Sequence, residues 1–136
     1  MKKSTIVLVC LLTIFMVACG DEVSKYNNAL DSDRGGREKM ITALSQMKEA
    51  NMFADEGKEG SETLVAEKQA AAKADMEEAL SSWAEARTAY LELINEFPDN
   101  PEYPNNLGNM IYYKVWSGLE GDLEEARKFI QQAVSK

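Results

Sequence analysis

Residues 64–97 run for thirty-four positions without a glycine or a proline and are rich in Ala, Glu and Lys. Helix propensity is high throughout such a run. Within it, Met76, Ala79, Trp83, Ala86, Tyr90, Leu93 and Phe97 step alternately by three and four. That spacing puts one apolar seam on one helix face, which has to be covered by another element. No segment shows the two-residue alternation of a half-buried strand. The expected class is all-α. Ser82 and Glu85 have capping-box spacing, so the stretch reads either as one long helix or as two.

The rest of the chain fits the same class. From Arg37, the residues Met40, Leu44, Met47 and Asn51 or Ala54 follow helical spacing, with Ile41 and Phe53 beside the stripe. Gly57 and Gly60 stop this helix, and Ser61 starts the next. Phe97-Pro98-Asp99-Asn100-Pro101 ends the long run. Pro101 and Pro104 suit the first turn of a new helix, where a missing N–H costs nothing. That helix is expected to reach about Ser117. A turn follows at Gly118–Gly121. A second capping box spans Asp122 to Glu125, and Leu123, Ala126, Ile130, Ala133 and Val134 form the face of a last helix. The reading is a short antiparallel helix-hairpin array of four to five helices, one domain over residues 37–136.

The first residues carry a different message. Met1-Lys2-Lys3 is a basic start, and an apolar run from Ile6 to Ala18 follows. It is too short for a stop-transfer helix and has the length of a secretory signal core. The run closes Met16-Val17-Ala18-Cys19-Gly20, which resembles the box of bacterial lipoproteins: a bulky apolar residue, a tolerant position, a small residue, then Cys. The resemblance implies a signal peptide over 1–18, a diacylglyceryl group on the Cys19 thiol and a lipid-anchored protein of the bacterial cell envelope. In enterobacteria an Asp after the lipidated Cys retains such proteins at the inner membrane. Gly20 stands there instead, which implies the outer membrane, facing the periplasm, if the host has two membranes. Removal of 1–18 takes away Lys2 and Lys3, leaving 13 basic and 23 acidic side chains in 118 residues, a net charge of −10. No second Cys remains, so the exported domain must be held by packing alone. Residues 19–36 are polar and acidic and read as a flexible tether.

Two later segments look alike. Trp83-Ala-Glu85-Ala86, then Tyr90 and Leu93, parallels Leu123-Glu-Glu125-Ala126, then Ile130 and Ala133. Each resembles the second helix of a tetratricopeptide (TPR) repeat, with a small Ala, a large apolar residue four later and a third contact three later. Phe97-Pro98-Asp99-Asn100 matches the turn that ends such a repeat. Leu107-Gly108 matches the Leu-Gly of the next first helix. From Leu107 to Ala126 is nineteen residues, longer than the family's interval, so that first helix is expected to be longer or to carry an insertion.

Composition excludes much chemistry. Without histidine there is no His-based triad, His-ligated haem or two-His metal site. The acidic balance argues against nucleic acid. Ser45-Gln-Met-Lys48 fits S-x-x-K without the companion motifs such enzymes need. Asp31-x-Asp33-x-Gly35 begins like a Ca²⁺ loop, but Thr42 stands where a bidentate Glu is required. No catalytic residue, metal or cofactor is expected. The TPR resemblance implies instead that the first helix of the repeat lines a concave groove. Asn105, Asn109, Tyr112, Tyr113 and Trp116 would then share a broad surface for a segment of another envelope protein, amides holding backbone and aromatics giving contact area. The alternative is a non-enzymatic helical spacer linking membrane and cell wall.

Overall fold

In the computed structural model the chain forms four helices: α1 Lys2–Glu56, α2 Ser61–Glu96, α3 Glu102–Trp116 and α4 Leu123–Val134. Residues 2–57 and 60–136 are described, those before Gly20 in backbone only. The side chains of the expected signal segment 1–18 and of Cys19 therefore lie outside the described residues. Among the described residues there is no strand, so the all-α class and the antiparallel hairpin arrangement hold. The same residues include no helix long and apolar enough to cross a membrane.

The helix stops follow their residues. Gly57 (φ 60°) and Gly60 (φ 87°) take the left-handed turn between α1 and α2 that L side chains resist. Ser61 to Glu96 is a single helix, and Ser82 sits inside it rather than at a cap. Pro101 precedes α3, and Asn100 Oδ1 accepts from the Glu102 N–H at 3.1 Å. Asp122 caps α4 by accepting from the Glu124 N–H at 2.8 Å. The second half of the expected capping box is missing, because the Glu125 carboxylate instead accepts from Arg87 of α2 at 2.7 Å. The long interval from Leu107 to Ala126 is taken up by the six-residue loop 117–122.

One expectation is corrected. Residues 20–36 are not a flexible tether: they belong to α1, and Ala29, Asp33 and Gly36 are buried. The seam of α1 is Tyr26, Ala29, Asp33, Gly36, Met40, Ala43, Met47 and Ala50, again stepping by three and four. The stripe expected at Met40, Leu44 and Met47 is displaced in part, since Ala43 is buried while Ile41 is 58% exposed and Leu44 38%.

The reason is complementarity with α2. The indole of Trp83 lies so close over Gly36 that a Cβ there would sit 2.6 Å from the ring. The Trp83 Nε1–H donates to the Asp33 carbonyl at 3.3 Å. Counting outward from this pair along the antiparallel helices sets Ala29 level with Tyr90, Met40 with Ala79, Ala43 with Met76, and Met47 with Ala72. Small faces large at these four levels, which lets the two helices approach closely. Lys39 bridges to Asp75 (3.1 Å) and Glu78 (2.6 Å), and Lys68 to Glu49 (2.6 Å), along the rim.

α3 and α4 form the second hairpin. A Cβ on Gly108 would meet Ile130 Cγ1 at 2.7 Å and the Ala126 carbonyl at 2.8 Å, so the α3 backbone rests directly on α4. Ala86 and Ala126 are both buried. Enlarging either to Leu is expected to lower stability by about 1–3 kcal/mol through overpacking, whereas the exposed Lys128→Ala should stay within about 0.5 kcal/mol. Urea melts of the three variants check this. Wild-type midpoints for both Leu variants would contradict the packing.

Candidate interaction surface on α3

α3 buries Tyr103, Leu107, Met110 and Ile111 and turns the opposite side outward. Asn105, Asn109, Tyr112 and Trp116 follow at steps of four, three and four and are all exposed, Tyr112 by 55% and Trp116 by 70%. They form one row along the helix. Tyr113 does not belong to it. It is half-buried toward the first hairpin, with its ring 6.0 Å from Trp83, and the Arg37 guanidinium lies 4.6 Å from its ring centre. Trp116 touches the same cluster, 5.9 Å from Tyr113, and so links the outer row to the core. The structure thus unites four of the five expected residues and assigns the fifth to a support beneath them.

The row is flanked by a shallow apolar groove of 300 Å³ between α3 and α4, lined by Tyr112, Leu123, Ala126, Arg127, Ile130 and Gln131.

The support under Tyr113 was not read from the sequence. Asp33, 7% exposed, accepts from Arg37 through both oxygens, Nε at 3.0 Å and Nη2 at 3.1 Å. This bidentate pair holds the guanidinium over the Tyr113 ring. The available signal was the i,i+4 spacing of Asp33 and Arg37. Residues 31–36 lie within α1 and so do not form the loop that a Ca²⁺ site of this pattern uses. No three acidic or Cys side chains converge as a metal site among the described residues.

The start of α3 is tied to α1. The Tyr103 hydroxyl donates to the Glu22 carboxylate, and Asn106 Nδ2 donates to the Tyr26 hydroxyl at 2.9 Å. The Tyr26 and Tyr103 rings lie 5.2 Å apart. Lys25 donates to Glu96 at the end of α2 at 2.8 Å, and that bond raises the Lys25 pKa. α1, α2 and α3 therefore converge near residue 22.

Below this surface the Tyr90 hydroxyl is buried with no hydrogen-bond partner. Burial, then the nearby Asp33 charge, raises its pKa above the ordinary 10.0. For an acid this sign means that the folded chain holds the proton more tightly. The associated stability is complete below about pH 10 and is lost as pH climbs toward the folded value. Tyr90→Phe removes the orphan group and keeps the ring. It is expected to change stability by less than about 1 kcal/mol at pH 7, toward greater stability, and to reduce the loss above pH 10. Melts at pH 7 and pH 11 check it; a loss of 2 kcal/mol at pH 7 would mean that the hydroxyl has a partner.

Comparison with protein-family models, with curated proteins and with solved structures finds no match for this chain.

Proposed function

We propose that this protein is a lipid-anchored lipoprotein of the bacterial cell envelope that acts, without catalysis, as a protein–protein interaction module through its α3–α4 hairpin. Anchoring is supported by the basic start, the apolar core and the Val17-Ala18-Cys19 ending. Gly20 after the Cys favours the outer membrane, facing the periplasm, in a two-membrane host. A TPR-like character is supported by Gly108 resting on Ala126 and Ile130, the positions at which the repeat pairs small with large.

The observation that carries the docking role is the exposed row. Two large aromatics more than half exposed, beside two amides and an apolar groove, are unusual on a small domain unless they are covered by something. The occupant is a segment of another envelope protein. Tyr112→Ala and Trp116→Ala should leave the thermal midpoint nearly unchanged while lowering capture of the bound protein about 30-fold, corresponding to the ~2 kcal/mol of a hot-spot aromatic. Tyr113→Ala should instead destabilise the fold. Circular dichroism melts beside capture yields separate the two effects. If the row variants unfold the domain and none selectively weakens capture, docking on α3 is wrong.

A second reading is favoured by the first hairpin. From Cys19 to Glu56, α1 is ~55 Å of continuous helix at about 1.5 Å per residue. That is a strut, and the chain could serve as a spacer between membrane and wall. Attachment to the wall that resists boiling in detergent would put this reading first.

A further inference from the structure

We infer that the occupant of the α3 row is a basic segment of an integral membrane protein, lying immediately outside the bilayer. This deepens the proposed docking role and rests on it and on lipidation of Cys19.

The first argument is reach. No flexible tether separates Cys19 from the domain, because both lie in one helix. Glu22, three residues on, already touches Tyr103 of α3. Asn106, beside the first amide of the row, bonds Tyr26, ~10 Å along α1 from Cys19. At the other end Arg37, ~27 Å along α1, lies against Tyr113, the neighbour of Trp116. A rigid body pivoting on Cys19 can lift no point further from the bilayer than that point's distance from Cys19. Whatever the tilt of the hairpin, the whole row therefore stays within roughly 30 Å of the lipid. A ligand seated on all four residues must run through that layer, where the segments flanking membrane-spanning helices are found.

The second argument is charge. Around the start of α3 stand Asp21, Glu22, Glu96, Asp99 and Glu102, and the cation among them, Lys25, is already bonded to Glu96 and Asp21. This end repels anionic lipid and attracts Lys and Arg. The groove beside Tyr112 supplies the apolar contact. A basic segment with apolar side chains fits both features; a lipid headgroup layer or an acidic soluble protein does not.

The test uses the full-length protein in its own host, with a photo-crosslinking amino acid at Tyr112 or Trp116 and, as control, at the exposed Met52 near the far end of α1. The partner identified by mass spectrometry in the product from both row positions should itself stay in alkaline-washed membranes of cells that lack this protein, and Met52 does not give that product. Its yield should fall at least fivefold in Asp99→Lys and in Glu102→Lys, both exposed positions, with circular dichroism showing that the fold is kept. A row partner that is itself extracted at alkaline pH from cells lacking this protein, or that is released by digesting the wall, overturns the inference. So does a yield indifferent to both charge reversals. No product from either row position, with Cys19 still carrying fatty acid, overturns the docking role itself. Loss of the fatty acid label from the wild-type chain overturns the anchor.

Discussion

Trp83→Ala is expected to cost about 3–5 kcal/mol of stability. The indole fills the space over Gly36, so its removal leaves a cavity that no Cβ on α1 can close. It also removes the Nε1–H that the Asp33 carbonyl accepts in addition to its bond within α1. Tyr113 loses the ring against which it packs, and with it the support for Arg37. Against the roughly 5–15 kcal/mol that holds a typical domain, that loss is at least about a fifth of the total. Trp83→Phe, which keeps part of the ring but not the N–H, should lose less. Chemical melts followed by circular dichroism check both. A wild-type midpoint for Trp83→Ala would mean that the indole does not clamp α1 to α2.

Cys19→Ser is expected to abolish fatty-acid labelling altogether and to leave the precursor unprocessed, since the oxygen cannot take the place of the thiol as lipid carrier. Metabolic labelling with a fatty acid, read beside the size of the product, checks it. The domain should still fold, because the first described contact of α1 with the rest of the chain is made by Glu22. Labelling that persists in the Ser variant would overturn the reading of Val17-Ala18-Cys19.

The two kinds of helix seam differ in how far they can be read from sequence. α2 shows its seam openly, because Trp83, Tyr90 and Leu93 are large and apolar. The matching seam of α1 is hidden. It is built from Ala29, Asp33, Gly36, Met40 and Ala43, and a search for large apolar residues finds Met40 but passes over the small and charged members and adds Leu44 in their place. A buried Asp in that seam reads as solvent-exposed until its partner Arg37 is seen. The glycine reads as linker until Trp83 is placed above it. By such a search the acidic stretch 19–36 reads as a tether. Helix ends were more legible, because Gly57, Gly60, Pro101 and Asp122 act through local backbone chemistry that needs no partner. In the row, exposed Asn105, Asn109, Tyr112 and Trp116 share a face by simple periodicity. The inward turn of Tyr113 depends on where the first hairpin lies, which local sequence does not encode.

Gly36 has one more consequence. Small and large residues recur every seven positions on both helices, so sliding α2 along α1 by one repeat, ~10.5 Å, would again set small against large at most levels. It would not do so for Trp83. The seam of α1 has a single position without a Cβ, and a one-repeat shift would bring the indole over Ala29 or Ala43, into a gap that is tight even for glycine. The pair works as a key in one notch. The hairpin therefore cannot telescope, and its length is a fixed dimension of the protein.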